Sequence, residues 1–392
     1  MPHSPPKTID ELGDGLREFF REHVAPQSQR MDEQETTPRD LIASLEGQGC
    51  LSGLIPAEHG GRGWNIHEFG MICEEIGRVS MSLLSLVTVH AMTAQAIGQW
   101  GTEAQRRIWL PLLASGDCLG AFALTEPLIG CDAQHIQLEA LEESEGFRLS
   151  GAKKWISYGQ LAGVILVFAQ CAGRTIALLV PGDAAGLSIK PLRGLLGFRA
   201  SMMAELVFDG VLVPPDRVVG RVGFGVSHVA MAALDLGRYA IARGSVGLAA
   251  MCLEASVEYA IHREQFGVPL SSHQLIQKML ADMATQVAAA RALCLEAARL
   301  RDAGSPDSII ETSKAKYFAS QTAVRAAADA LQLHGAHGCG PDSPVQRYYR
   351  DAKLTEIIEG SSQMQQLMIA QDLTRKHRRN VPAPFPRSSA RA

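Results

Sequence analysis

Between residues 246 and 333 small and apolar residues recur again and again at helical spacing, and this pattern restricts the fold more than any other feature of the chain. Val246, Ala250, Leu253, Val257 and Ala260 share one helical face, and Ile276, Leu280, Met283, Val287, Ala290, Cys294 and Ala297 share a second. A third face carries Ala315, Phe318, Thr322, Ala326, Ala330 and Leu333. A fourth helix is expected after Gly360, with Ser361 as its cap and Met364 and Met368 facing inward. Four such helices in succession predict a bundle. Aromatic residues make up only 6% of the chain, so close packing of Ala, Leu and Gly suits it better than an aromatic-rich sandwich.

The same period runs near the N-terminus. Ile9, Leu12, Leu16, Phe19 and Phe20 follow Thr8, a natural cap with Asp10 and Glu11 in the first turn. Helices are further expected at Pro38–Leu45, Ile66–Ile76 and Leu83–Trp100, with a Gly-rich turn at Glu58–Gly63. From about 119 the texture changes to short β-branched or apolar runs broken by Gly and Pro: Gly163–Ala169, Thr175–Pro181, Gly186–Leu192 and Glu205–Pro214. At 392 residues the chain exceeds what one core usually organises. The reading is therefore mainly α with a central β domain: an N-terminal helical domain at 1–118, a middle β domain at 119–228 and a helix bundle at 229–378. A Pro-, Arg- and Ser-rich tail at 379–392 is expected to be poorly ordered.

Several partners are disfavoured. The net charge is −4 and no Lys/Arg block could track a phosphate backbone, so no nucleic acid is expected. No apolar run of about 20 residues suggests a membrane span, and the start Met1-Pro2-His3-Ser4 lacks a basic-then-apolar signal, so a cytoplasmic protein is expected. The eight Cys form no Cys-x-x-Cys pair and read mostly as small buried hydrophobes in a reducing compartment. His334 and His337 lie at helical spacing but lack a third ligand, so no metal is expected.

The chemistry is concentrated in a few segments. One is Ala123-Leu124-Thr125-Glu126-Pro127-Leu128-Ile129-Gly130-Cys131-Asp132, and another is Gly151-Ala152-Lys153-Lys154-Trp155-Ile156-Ser157-Tyr158-Gly159. A third, Arg263-Glu264-Gln265-Phe266-Gly267-Val268-Pro269-Leu270 followed by His273-Gln274, joins the first two bundle helices, with Leu331-Gln332-Leu333-His334-Gly335-Ala336-His337-Gly338 further on. The fourth runs from Tyr349-Arg350-Asp351-Ala352-Lys353 to Ile358-Glu359-Gly360-Ser361-Ser362-Gln363-Met364. Each alone has an ordinary explanation: a Gly/Pro turn, a core Trp, a solvated Arg, a carboxylate favoured by a helix dipole. In this order, over residues 10–375, they resemble the acyl-CoA dehydrogenase family.

That resemblance implies an N-terminal helical domain, a middle β-barrel or sheet domain and a C-terminal four-helix bundle. It also implies FAD, contacted by Phe122, Leu124, Thr125, Gly130, Cys131, Trp155, Ser157, Ser361 and Gln363. An indole can cover one flavin face while hydroxyl and amide groups polarise the ring. Arg263 is implied to reach the FAD pyrophosphate of a neighbouring subunit, together with Gln265, Phe266, Gln274, Gln332 and Gly335, because a guanidinium fork pairs phosphate oxygens. A homo-oligomer, dimer or tetramer, follows.

Glu359 falls on the family's catalytic carboxylate, with substrate contacts implied at Cys131, Arg238, Ile358 and Gly360. Removing a proton α to a thioester needs such a base while the β hydrogen leaves as hydride. Branches that move the base place it just before an Arg on the first bundle helix, and here Gly237 precedes Arg238. Arg350 and Asp351 are expected to fix a turn. Leu128 and Ile129 replace small residues and Cys131 replaces Ser, which is expected to narrow the loop and alter handling of the phosphopantetheine arm. Ile358 in place of Tyr is similar to members acting on acyl carrier proteins in polyketide extender-unit (methoxymalonyl-type) pathways. The substrate is thus an acyl-CoA or acyl carrier protein thioester, and the electron acceptor an electron-transfer flavoprotein or oxygen. A flavin-dependent monooxygenase or oxidase on the same fold, and a non-catalytic helical scaffold, remain as alternatives.

Overall fold

The computed structural model describes residues 9–380. Its N-terminal layer holds α1 (Ile9–Phe19), continued through wider turns at Phe20–Val24 into α2 (Ala25–Gln34), then α3 (Arg39–Gly47), α4 (Ile66–Val79), α5 (Met81–Trp100) and α6 (Glu103–Ala114). Two of these helices start at reciprocal side-chain caps, Asn65 with Glu68 and Thr102 with Gln105, which satisfy otherwise orphaned N–H groups. Thr8, the expected cap of α1, lies outside the described residues.

Seven strands follow: β1 (Gly120–Ala123), β2 (Glu139–Glu143), β3 (Gly146–Ile156), β4 (Val164–Cys171), β5 (Arg174–Pro181), β6 (Leu187–Pro191) and β7 (Ala204–Val213). They form one sheet in the order β1-β4-β2-β3-β7-β6, with β5 antiparallel to β4. Alternation along β4 builds two cores at once. Val164, Leu166 and Phe168 pack with Ile97 of α5 and Leu110 of α6, whereas Ile165, Val167 and Ala169 pack with Leu149, Leu178 and Val211 inside the sheet domain. A strand buried on both faces reads as continuously apolar, which is why β4 and β5 were legible. The sequence reading missed β1, β2 and β3. β1 is short and rich in small residues, β2 carries three glutamates, and β3 carries adjacent lysines, so only tertiary pairing makes them strands.

α5 secures β1. Thr93 Oγ1 donates to Ala121 O at 3.1 Å. His90, fully buried, accepts from Gly120 N at Nδ1 (3.2 Å) and donates from Nε2 to Leu113 O (3.1 Å). One acceptor and one donor make this a neutral ring, and burial lowers its pKa to about 4.

The C-terminal helices are α7 (Met231–His262), then a hairpin of β8 (Glu264–Gln265) and β9 (Val268–Pro269), α8 (Gln274–Asp302), α9 (Ser308–His334), α10 (Val345–Thr355) and α11 (Ser362–Asn380). Helical backbone begins earlier, in wider turns at Gly225–Ala230. α4 lies against α7 at backbone distance: a Cβ on Gly247 would sit 2.0 Å from Glu74 O, and one on Gly77 2.3 Å from Gly244 O. Glu74 joins three helices by pairing with Arg243 of α7 and Arg291 of α8, each at 2.8 Å.

Four expectations need correction. Arg350 and Asp351 lie on α10, an extra helix that was not expected, and from it they hold the bend at 196–201: Arg350 pairs with Asp32 of α2 at 2.5 Å and donates to Leu196 O at 3.1 Å, and Asp351 Oδ1 accepts from Phe198 N at 2.7 Å. Val257 is exposed because the buried face of α7 in its last turns runs through Cys252, Ser256 and Ala260, and Val257 lies off it. α11 continues to Asn380, so the expected end at 378 falls inside a helix, and the rest of the expected tail, 381–392, lies outside the described residues. Finally, Met81–Trp100 and Gly225–His262 are long and apolar enough to cross a membrane by composition, but 89% and 72% of their apolar windows are buried within the protein, as core helices.

The α4–α7 crossing gives a test. Alanine ordinarily favours a helix over glycine by about 1 kcal/mol. At 247 overpacking against the Glu74 carbonyl outweighs that gain, so Gly247→Ala is expected to destabilise the protein by about 1–3 kcal/mol in chemical denaturation.

Candidate active site

The six residues between α10 and α11 reverse the chain, and two consecutive positions, Glu359 (φ +53°) and Gly360 (φ +84°), take left-handed backbone. For a glutamate this costs about 1–2 kcal/mol, so the surroundings must impose it. They do so through bonds to the turn's carbonyls. Lys316 Nζ donates to Gly360 O at 2.8 Å, Gln365 Nε2 donates to the same oxygen at 3.0 Å, and Ser362 N donates to Glu356 O at 2.9 Å. Ser361 Oγ accepts from Met364 N at 3.4 Å, the capping contact read from the sequence.

This turn aims the Glu359 side chain at α7. The residue as a whole is half-buried, but its Oε2 is shielded from solvent and has no hydrogen-bond partner among the described residues. Facing it is Gly237: a Cβ there would lie 2.2 Å from Glu359 Oε2 and 2.8 Å from Met92 Sδ. Only glycine leaves room for the carboxyl. Burial raises Glu359 to about 7, with Arg238 and then Lys316 pulling against that rise. Arg238 is itself buried, and its Nε lacks a partner. A carboxyl poised near neutrality, shielded and unbonded, can accept a proton from a bound molecule.

Opposite the turn stands the loop after β1. Glu126 is buried, with Oε1 accepting from Lys153 Nζ (2.7 Å) and Leu138 N (2.9 Å), and Oε2 accepting from Gln137 N (2.6 Å). Lys153 also donates to Leu124 O at 2.9 Å, and Lys154 N donates to Thr125 O at 2.9 Å. One buried ion pair thus fastens Leu124 and Thr125 to the end of β3. There the pairing with β7 slips between Lys153 and Ile156, and Trp155 adopts φ +63° with 49% exposure, so it is no core residue. The loop and the turn meet where Cys131 Sγ comes within 3.9 Å of Ser361 Oγ.

The narrowing expected from Leu128 and Ile129 is only half realised. A tight turn, Glu126 N to Ile129 O at 2.9 Å with the return bond at 3.3 Å, leaves Leu128 88% exposed, while Ile129 packs against the core that holds Phe122 and Leu124. Phe122 is buried against Phe168, Ser157 is half-buried, and Gly130 and Gln363 are exposed. These residues, with a half-exposed indole and an unpartnered carboxyl oxygen across the cleft, fit a flat aromatic group between sheet and bundle.

The second expected set lies elsewhere. Arg263, Gln265 and Gly335 line a groove of about 500 Å³ together with Tyr259, His334 and His337, and Tyr259 stacks on His334 at 4.3 Å. Phe266, Gln274 and Gln332 are exposed at the same end of the bundle. Arg238 and Tyr259 are separated by about 32 Å of α7, and Lys316 and Leu333 by about 26 Å of α9, at ~1.5 Å per residue. Within one chain the two sets therefore cannot grip the same part of a ligand.

Sequence reasoning missed Lys316, Gln365, Met92 and the Glu126–Lys153 pair. A signal existed for the lysine: Lys316 interrupts a run of small residues, Thr312, Ser313, Ala315 and Ala319, on a buried helix face.

The N-terminal, middle and C-terminal domains of acyl-CoA dehydrogenase match residues 6–117, 121–211 and 225–374. An acyl-CoA dehydrogenase of Bacillus subtilis (strain 168) is 38% identical over 364 residues, 91% of this chain and 96% of that protein. Glutaryl-CoA dehydrogenase from Mycobacterium smegmatis in complex with FADH2 superposes with a TM-score of 0.90 at 29% identity, covering 94% of this chain and 95% of that one. FkbI, described as serving biosynthesis of the methoxymalonyl extender unit of the Fk520 polyketide, superposes at 0.85 with 32% identity, covering 95% of this chain and all of that one.

The raised Glu359 value has a consequence for stability. In the unfolded chain the group titrates near 4.5, so between there and about 7 the folded state binds more protons. The stability of the neutral form is fully present at low pH and is lost as pH rises through 7. Glu359→Gln, neutral throughout, should melt above wild type at about pH 8, with the gap closing towards about pH 5. Thermal melts across that range check it, and a gap independent of pH would contradict it.

Proposed function

We propose that this chain, which belongs to the acyl-CoA dehydrogenase family, oxidises a short or polar acyl thioester with Glu359 as its base. It is a flavoprotein oxidoreductase acting on CH–CH bonds, with FAD as cofactor. The observation that carries the reading is the shielded, unpartnered Glu359 Oε2, held opposite the β1 loop and given room by Gly237.

The residue roles are as follows. Glu359 takes the α-proton of the thioester, and Ile358 and the flavin loop exclude water, which keeps the carboxyl basic. Gly360 lets the backbone approach the thioester oxygen, while Arg238 and Cys131 border the acyl group. FAD, when bound, supplies the acceptor for the β-hydride, and the product is the α,β-unsaturated thioester. Phe122, Leu124, Thr125, Gly130, Cys131, Trp155, Ser157, Ser361 and Gln363 would hold it on one chain. Arg263, Gln265, Phe266, Gln274, Gln332 and Gly335 would reach it from a second copy, a division that the distance along α7 and α9 favours. The assembly is then a dimer or tetramer.

Two details favour a carrier-bound unit over free acyl-CoA: the likeness to FkbI, and the exposed Leu128 beside Cys131 at the mouth of the cleft. A role in secondary metabolism, a cytoplasmic setting and an electron-transfer flavoprotein or oxygen as acceptor belong to the same proposal. The oxygen-using alternative is less favoured because the base is present and buried.

Anaerobic mixing of the FAD-loaded protein with CoA- and carrier-bound thioesters should bleach the flavin with at least one short or polar unit. Glu359→Gln should keep FAD and slow bleaching by about 10²–10⁴-fold, and normal bleaching in that variant would refute the assignment. Arg263→Ala should weaken FAD retention and subunit association together, read by flavin absorbance and sedimentation. If neither changes, the second-copy contact is wrong.

A further inference from the structure

Lys316 has no part in the roles assigned above, yet it is completely buried at the foot of the catalytic turn. Its one hydrogen bond among the described residues is to Gly360 O, at 2.8 Å, and no carboxylate oxygen lies within ion-pair distance of it. An ammonium carries three donors and is costly to bury, so a lysine here has to do something an apolar residue could not. We propose that Lys316 is a positioning residue for the reaction: by gripping the carbonyl one residue beyond Glu359, it holds the left-handed turn that aims the carboxyl at Gly237, and leaves Oε2 unbonded among the described residues.

The choice of partner is the chemical point. A direct salt bridge would occupy the Glu359 oxygens and weaken them as a base. Holding the backbone places the positive charge nearby without that bond. Gln365, also buried, shares Gly360 O at 3.0 Å and reaches Glu359 O at 3.4 Å, so α9 and α11 clamp the turn from two sides. A Cβ on Gly360 would press on this clamp, lying 2.8 Å from Gln365 Nε2, and the φ of +84° there disfavours a side chain.

The electrostatics agree. Burial lowers Lys316 to about 8, and Glu359 acts most strongly against that fall. The charged groups bearing on the carboxyl are Arg238 from α7 and Lys316 from α9. Glu356 of the same turn acts on Lys316, while Asp235 of α7 and Arg301 of α8 act on Arg238. Asp235 and Arg301 pair with each other, leaving the two unpaired cations to set the carboxyl.

This inference rests on Glu359 being the base, and its test separates the two. The Glu359 carboxyl is titrated by infrared difference spectroscopy on FAD-loaded protein, its band identified by absence in Glu359→Gln, and the anaerobic flavin-reduction rate is measured across the same pH range. In Lys316→Met the carboxyl should titrate about one pH unit or more higher, because a cation is lost. Its limiting reduction rate at high pH should fall about 10- to 100-fold, because the turn is loosened. Lys316→Gln retains a donor for Gly360 O, so the titration should move up while the limiting rate stays within about 3-fold of wild type. Lys314→Met, which loses only the Glu311 pair one turn away, should match wild type in both.

An unmoved carboxyl titration in both Lys316 variants overturns the proposal, as does a lower yield of FAD-loaded protein with an unchanged pH profile. If Lys316→Met does not fold, the titration of Lys316→Gln decides. Failure of wild type to bleach with any thioester counts against the function, while the infrared titration still judges Lys316.

Discussion

A single buried carboxyl is what the arrangement depends on. Glu359 Oε2 sits without a partner against Gly237, in a turn whose backbone is left-handed at two successive residues. Burial raises its pKa to about 7, and the nearby cations Arg238 and Lys316 keep it from rising further. Leaving such a group unbonded costs stability, of order 1–3 kcal/mol for an unsatisfied buried polar atom. The rest of the fold must supply that, and it does so with a large apolar core in which α7 and α9 are buried over most of their length. Stability spent at one turn gives a base able to exchange a proton near neutral pH.

Two separate halves must agree for that base to meet a substrate. The sheet contributes a loop fastened by the buried Glu126–Lys153 pair, and the bundle contributes the turn clamped by Lys316 and Gln365. Both are anchored on α5, which packs β1 through Thr93 and His90 and lays Met92 beneath Gly237. α10 ties the bundle to the N-terminal layer through Arg350 and Asp32. Helix length then imposes a second constraint: the Arg263 groove is about 26–32 Å from the carboxyl along α9 and α7, so one chain presents two half-sites.

Much of this was legible in the sequence, for identifiable reasons. The bundle helices were readable because Ala, Cys and Val recur at 3.6-residue spacing on faces that are buried, and β4 and β5 because both their faces are. Glu359 was found from its neighbours in the chain, since Ile358, Gly360 and Ser361 are adjacent to it. β1, β2 and β3 were hidden because the pairing that makes them strands is tertiary. α10 was hidden by its polarity: it buries Arg347 and Asp351, which read as surface residues, and bonds them to Val79 O and Phe198 N. Lys316 and Gln365 were hidden because their partner is a backbone carbonyl, and such a contact leaves no trace in residue spacing.

The most direct measurement is a crystal structure of the FAD-loaded protein with a non-reacting thioester analogue. The account predicts a Glu359 carboxyl oxygen about 3–3.5 Å from the carbon α to the thioester, on the side away from the flavin, with Gly237 beside it. A Glu359 turned to solvent, or another carboxylate facing that carbon, would contradict it.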